Sequence, residues 1–336
     1  MAASRHCILA TVPIDPIIYE ELGRLYPIET AENDERETLI GLMPGKTCLI
    51  TRGLAPIDGE IMDASQDLLV ISRTGAGYEN VDIAASTKRG IPVVYAPLLS
   101  ESVAEATFAM LLALTKQLFY WHESLLGGHW DRRIRERTDE LYAKTIGIVG
   151  LGRIGREVAR RARAFDMRIV AHDPYADPAQ AAALDVELLG LDELLERVDI
   201  VTLHAMVTPE TEGLINRENL KAIKRGAYLL NFARGALIED LDVLYEALED
   251  GRLAGVGLDV FPDEPPIHLD HPLFAHPRFI GSPHVLASTA GAEARCARSV
   301  CKDLKAVLGG QRPEWCVNPE VFDLPQRRLP GESHVE

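Results

Sequence analysis

The segment Gly150-Leu151-Gly152-Arg153-Ile154-Gly155 carries three glycines at the spacing a backbone needs to turn around a pyrophosphate. Gly150 permits a tight turn and Gly152 lets the chain approach the phosphates. Gly155 lets the following helix pack against the preceding strand, with the helix N-terminus facing the anion. Arg153 and Ile154 complete the turn and belong to the same nucleotide site. The context agrees, because Thr145 to Val149 reads as a strand and the run from Arg153 as an amphipathic helix. Asp173 lies 23 residues after Gly150 (173 − 150), at the end of the next apolar run. A carboxylate there accepts hydrogen bonds from the adenine ribose hydroxyls and repels a 2′-phosphate, which favours NAD over NADP. A plain Asp-Pro turn would fit either cofactor.

Three more polar clusters each follow an apolar run: Asn231-Phe232-Ala233-Arg234-Gly235, Asp259 to Pro266, and Ser282-Pro283-His284. In a parallel sheet the C-terminal strand ends converge on one crevice, so residues distant in sequence meet there. Arg234 offers a planar fork that matches a carboxylate and an adjacent C2 oxygen. His284 can take a hydroxyl proton as hydride leaves C2 and return it in the reductive direction. Glu264 can orient that imidazole and stabilise its protonated form. Taken singly, each also fits a structural role: a salt bridge for Arg234, a satisfied core histidine for His284, a turn carboxylate for Glu264. Taken together they suit hydride transfer at C2 of a small 2-hydroxy or 2-oxo acid.

Residues at strand ends must be positioned by an α/β scaffold. Apolar runs rich in Val and Ile alternate with helical periodicity, which predicts βαβ units and doubly wound parallel sheets. Strands are expected at His6 to Ile14, Thr47 to Thr51, Leu68 to Ser72 and Pro92 to Tyr95, with helices at Pro16 to Leu25, Ala31 to Leu42 and Val81 to Lys88. A long apolar helix follows from Glu101 to Leu118, then a polar stretch to Thr138. The charge run Asp131 to Arg137 in that stretch interleaves acids with bases and reads as a solvated face or a subunit contact. The second series has strands at Thr145 to Val149, Arg168 to Ala171, Ile200 to Leu203, Ala227 to Asn231 and Gly255 to Leu258. A closing helix spans about Ala287 to Leu308, and the polar tail after Pro319 is expected to be loosely held.

With 336 residues, 47% hydrophobic and 26% charged, the chain suits about two domains of roughly 150 residues and a cleft between them. No apolar run reaches the ~18 residues of a membrane span, and the short run from Cys7 to Ile14 is not a secretory signal. Five cysteines without CxxC spacing argue against a disulfide framework and a zinc site, and point to the cytoplasm. No metal site is read. A net charge of −16 disfavours nucleic acid, so an anionic substrate needs local cations.

These segments, through Gly257-Leu258-Asp259-Val260-Phe261 and Glu264-Pro265-Pro266, resemble the D-isomer-specific 2-hydroxyacid dehydrogenase family over nearly the whole chain. The resemblance implies that Arg234, Glu264 and His284 are catalytic, that Asp259 binds the nicotinamide carboxamide, and that His204 and Ala233 line the cofactor site. It implies a Rossmann NAD domain at 101–287 inserted in a discontinuous, flavodoxin-like substrate domain made of 1–100 and 288–336. It also implies a homodimer held through the nucleotide domains. The run Arg73 to Asp82 resembles the family's substrate loop, with the backbone N–H groups of Gly75 and Ala76 facing the substrate carboxylate. Arg52 and Arg73 fall where phosphoglycerate dehydrogenases place cations near a phosphate, so 3-phosphoglycerate stands beside hydroxypyruvate and glyoxylate as a substrate. Tyr78-Glu79, Met206 and the short segment Pro97 to Ser102 depart from the family pattern, at the pocket and the hinge. Because the chain closes at Glu336, no serine-feedback regulatory domain is expected. Two other activities share the scaffold. An NAD-sensing protein of the C-terminal binding type would recruit partners without turnover. Formate-type enzymes carry Gln where this chain has Glu264, which disfavours them.

Overall fold

Short, nearly continuous apolar runs can be buried on both faces only in a parallel sheet covered by helices, and the chain forms two such sheets. The computed structural model describes residues 6–53 and 55–328. The chain divides into two units, Met1–Leu99 with Ser288–Glu336, and Ser100–Ala287.

The first unit opens with β1 (Ile8–Ala10), α1 (Pro16–Gly23), β2 (Ile28–Thr30), α2 (Arg36–Leu42) and β3 (Cys48–Thr51). It continues through α3 (Gly59–Asp63), β4 (Val70–Arg73), α4 (Ile83–Lys88) and β5 (Val93–Val94). The second unit begins with α5 (Ser100–Thr115) and α6 (Leu118–Leu126). Then come β6 (Thr145–Val149), α7 (Arg153–Ala164), β7 (Arg168–His172), α8 (Pro178–Ala183), β8 (Val186–Leu188) and α9 (Leu191–Arg197). It ends with β9 (Ile200–Leu203), β10 (Ala227–Asn231), α10 (Leu241–Glu249), β11 (Leu253–Leu258) and β12 (Phe279–Gly281). The chain then returns to the first unit as α11 (Ala290–Leu308).

The first sheet runs β2-β1-β3-β4-β5 and the second β12-β11-β10-β9-β6-β7-β8, all pairs parallel. These are the flavodoxin-like and Rossmann orders, the latter with one added strand. In the first unit Ile8, Ile50, Val70 and Val94 meet Ala297, Val300 and Leu304 of α11, while Leu9, Leu49 and Ile71 pack on the other face. Burying each such Leu or Ile stabilises the fold by about 1.5–3 kcal/mol. Side chains mark the helix starts: Asp15 accepts from the Ile17 N–H, Asp240 from Val243 and Thr289 from Ala292.

Several elements differ from the sequence reading. The helix expected over Glu101 to Leu118 breaks at Gln117, which adopts a left-handed φ of 50°. The stretch expected to be merely polar contains α6 and a 3₁₀ turn at Trp130–Ile134. The helix expected from Ala31 starts only at Arg36, because Asn33 Oδ1 takes the Glu35 N–H and turns the chain. Edge strands β2, β8 and β12 carry too short a pattern to read. The tail is not loose through residue 328: Val321 and Phe322 are buried, and Arg328 donates to the carbonyls of Ser65, Gln66 and Leu68. The rest of that expected tail, 329–336, lies outside the described residues.

Candidate active site

The C-terminal strand ends of the second unit carry the sequence-predicted residues in one row. Across the order β12-β11-β10-β9-β6-β7, His284, Asp259 with Glu264, Arg234, His204, Gly150 and Asp173 each follow their strand. Neighbouring strands are about 4.8 Å apart, so the row suits an elongated ligand.

At the β6 end, Gly150 has φ +92°, and a Cβ there would lie 2.6 Å from the Ala205 nitrogen. A Cβ at Gly155 would lie 2.1 Å from the Gly150 carbonyl oxygen, whereas one at Gly152 meets nothing within 4 Å. Gly150 and Gly155 are therefore demanded by the fold, and Gly152 leaves open space above the backbone. Helix α7 has no side-chain N-cap, so its first N–H groups face outward with the positive end of the helix dipole. Asp173 accepts from Leu151 N–H at 2.8 Å and Tyr175 N–H at 2.9 Å, tying the β7 end to the glycine turn. His204 Nε2 pairs with Thr202 Oγ1 at 2.8 Å. The residue keeps some exposure, yet its Nδ1 is buried without a partner, and burial pushes the imidazole down to about 3. A neutral ring with an orphaned nitrogen beside an open glycine turn and an uncapped helix fits a dinucleotide with many polar groups.

At the β10 to β12 ends, the loops are drawn together by backbone packing. Asn231 is buried; its Oδ1 accepts from Ala233 N–H and its Nδ2 donates to Arg234 O. A Cβ at Gly235 would lie 1.9 Å from the Phe261 carbonyl carbon, so only glycine lets the Arg234 loop touch the loop carrying Glu264. Arg234 Nη1 donates to Ala233 O at 2.7 Å. His284 Nδ1 lies 2.8 Å from Glu264 Oε2, and Glu264 Oε1 accepts from Phe261 N–H at 3.1 Å. Asp259 is buried, and its Oδ1 accepts from Ser282 Oγ at 2.6 Å, Val285 N–H at 3.1 Å and Leu286 N–H at 3.4 Å. Asn231, Gly235 and Ser282 thus join the site, although sequence reasoning assigned them no separate role. Their only signal was their place inside the three strand-end clusters.

In the first unit, Arg52 follows β3 and Arg73 ends β4, so both sit at that sheet's C-terminal edge. Arg52 Nη2 lies 3.4 Å from Glu293 Oε1 in the first turn of α11. Arg73 Nε donates to Gly77 O at 2.8 Å and holds the loop that carries Gly75 and Ala76. Among the described residues, the N–H groups of Gly75 and Ala76 have no protein acceptor. Tyr78 packs edge-on against Tyr95, and Tyr95 against Trp315. Met206 is exposed.

A cavity of about 620 Å³ lies at the other, N-terminal edge of the second sheet, lined by Arg163, Arg168, Asp185, Glu187, Arg197 and Lys224 among others. Its charges pair with one another or with neighbours, and it contains none of the residues above. Among the described residues, no cluster of three or more His, Cys, Asp or Glu is arranged to hold a metal ion, and no helix is long and apolar enough to cross a membrane.

Residues 108–285 match the family model described as the NAD-binding domain of D-isomer specific 2-hydroxyacid dehydrogenases. The chain is 39% identical over 327 residues to a D-3-phosphoglycerate dehydrogenase of Methanocaldococcus jannaschii, covering 96% of this chain and 61% of that protein. It is 39% identical over 294 residues to a glyoxylate reductase of Thermofilum pendens, covering 86% of each. A crystal structure of a Thermus thermophilus protein superposes with a TM-score of 0.84 at 38% identity, covering 93% of this chain and 99% of that one. The chain therefore spans less than two thirds of the length of the phosphoglycerate dehydrogenase it matches.

Proposed function

The chain belongs to the D-isomer-specific 2-hydroxyacid dehydrogenase family, and from that premise we propose that it is an NAD-dependent dehydrogenase acting at C2 of a small D-2-hydroxy or 2-oxo acid. The observation that carries this reading is the His284–Glu264 pair at 2.8 Å, on strand ends next to the one bearing Arg234. Nδ1–H donates to the carboxylate, which leaves Nε2 to hold or give the proton on the C2 oxygen. Glu264 fixes the ring orientation and supports the imidazolium formed when His284 takes that proton. Arg234 supplies the fork for the substrate carboxylate and the C2 oxygen.

Bound nicotinamide would supply or accept the hydride. Gly150, Gly152, Arg153, Ile154 and Gly155 with the α7 N-terminus would hold its pyrophosphate, Asp173 the ribose, and His204, Ala233 and Asp259 the remaining polar edge. Gly75 and Ala76 N–H groups would bind the substrate carboxylate. Arg52 and Arg73 already bond Glu293 and Gly77, which favours a singly charged 2-oxo acid of the glyoxylate or hydroxypyruvate kind. A phosphorylated acid such as 3-phosphoglycerate would have to displace Glu293.

Two copies would pair through the second unit, where Leu118, Phe119, Leu125, Leu126, Trp130 and Ile134 are exposed on α6 and the 3₁₀ turn. The unpaired state of all five cysteines suits the cytoplasm. His284→Ala is expected to remove turnover in NADH-oxidation assays over glyoxylate, hydroxypyruvate, pyruvate and 2-oxoglutarate, with NADH binding near normal. Arg234→Ala should damage both KM and kcat. A His284→Ala enzyme that keeps most of its kcat would overturn the assignment. Absence of turnover with every acid, and with 3-phosphoglycerate plus NAD, would favour the NAD-sensing scaffold.

A further inference from the structure

We propose that Ser282 is a positioning residue for the proton-transfer step, acting through Asp259 to fix the turn that presents His284. The inference rests on the dehydrogenase reading above. His284 adopts φ +52°, a left-handed conformation that a side chain with a Cβ rarely takes. Such backbone is strained and persists only where its surroundings over-determine it. Here the surroundings are identifiable. His284 N–H donates to Ser282 O at 3.0 Å, closing a tight turn over Pro283. On both sides of that turn the chain is tied to one oxygen: Asp259 Oδ1 receives Ser282 Oγ–H at 2.6 Å before it, and Val285 and Leu286 N–H after it. Asp259 itself is buried and anchored at the β11 end, where its N–H donates to Asn231 O at 3.1 Å. The ring is then oriented from its other side by Glu264. Among the described residues, the hydroxyl donor at 282 adds a side-chain contact to the Ser282 N–H bond to Leu258 O (2.9 Å) on the N-terminal limb of the turn, and it touches no reacting atom in this scheme.

Without that hydroxyl the His284 backbone can relax out of its strained conformation and move Nε2 away from the C2 oxygen. A misplacement of about 1 Å costs up to about 10²-fold in rate. Ser282→Ala should lower kcat by about 10- to 100-fold while KM for the 2-oxo acid changes by less than about threefold. Its solvent deuterium isotope effect on kcat should rise as proton transfer becomes slower than the other steps. Ser282→Thr, which keeps the hydroxyl, should restore kcat to within about threefold. NADH titration by fluorescence verifies that each variant is folded. If Ser282→Ala keeps kcat within twofold, or fails to be rescued by Thr, or lowers kcat with no rise in the solvent isotope effect, the positioning role is wrong. If His284→Ala alone leaves kcat intact, the dehydrogenase reading fails instead, so the two failures are separable.

Discussion

Asp173 has one task that the structure shows and one that we propose. Its spacing from the glycine turn marked it as the ribose ligand, but the structure also gives each of its oxygens a backbone N–H, from Leu151 and Tyr175. Removing the carboxylate therefore loosens the turn as well as removing the proposed ribose contact. Asp173→Ala is expected to lower kcat/KM for NADH by about 10- to 100-fold, since losing charge-assisted bonds costs about 1.5–3 kcal/mol. Kinetics with both cofactors should show a smaller loss for NADPH, because the repulsion of the 2′-phosphate disappears. An unchanged NADH/NADPH ratio of kcat/KM would count against the ribose role. The placement of Arg234, Glu264 and His284 at neighbouring strand ends was legible because their clusters follow apolar runs. Ser282 was not, since its meaning depends on a bond to a carboxylate 23 positions away (282 − 259). Nor could the sequence show that Arg52 faces Glu293, a residue on a helix 241 positions later.

The strands that carry the site were read from the sequence nearly to the residue, since β6, β9 and β10 are runs with a single polar residue each, buried almost throughout. Edge strands β2, β8 and β12 escaped because three residues such as Ile28-Glu29-Thr30 carry no period, and β12 is the strand that leads to His284. The break at Gln117 escaped because neither Gly nor Pro marks it. Two changes test how these elements hold the cofactor site. Gly155→Ala places a methyl 2.1 Å from the Gly150 carbonyl oxygen, so β6 and α7 must separate. Isothermal titration should show NADH binding weakened by at least about 10-fold, and wild-type affinity would contradict the close-packing role. At the opposite end of the same sheet, Asp199 accepts from Thr145 N–H and Lys224 Nζ, joining β9 to the start of β6. Burial raises its carboxyl, but those two donors outweigh it and hold the group below the ordinary carboxylate range. A depressed folded value means stability that is present above an unfolded value near about 3.9 and is lost as pH falls through the folded one. The Lys224 partner is partly exposed and screened, so the backbone donor matters more. Asp199→Asn should lower stability at pH 7 by about 1–2 kcal/mol in urea titrations. It should also flatten the loss of stability below about pH 4; an unaltered acid slope would contradict the linkage.

The chain crosses between its units twice, at Leu99–Ser100 and Ala287–Ser288, and Ser102 Oγ donates to Ala287 O at 2.9 Å beside both crossings. The expectation of a divided first unit came from the family resemblance and from the closing helix that leads the chain back to it. The sequence disclosed less about association, because the segment before Thr138 reads as polar while its apolar side chains are scattered among charges. In the fold those side chains are exposed on α6 and the 3₁₀ turn that follows it: Leu126 is 74% exposed, Ile134 65%, Trp130 63% and Phe119 58%. The arginines between them lie against rings, Arg132 over Tyr120 and Arg133 over Trp130, so the charge run adds to the patch instead of interrupting it. Exposed apolar side chains of this kind support the pairing proposed above. Two copies that each carry a net charge of −16 repel one another, so in the proposed dimer the apolar contact would have to outweigh that repulsion. Screening should therefore strengthen the dimer, whereas an interface built on ion pairs would weaken in salt. By sedimentation equilibrium, the wild-type dimer is expected to tighten between 50 mM and 500 mM NaCl. Phe119→Glu with Leu126→Glu should yield a monomer that still binds NADH, because neither side chain lies at the strand ends that carry the cofactor residues. A wild-type chain that is monomeric at about 10 µM, or a double variant that stays dimeric, would move the contact to another face; at that concentration a standard interface of about 800 Å² per partner is readily populated.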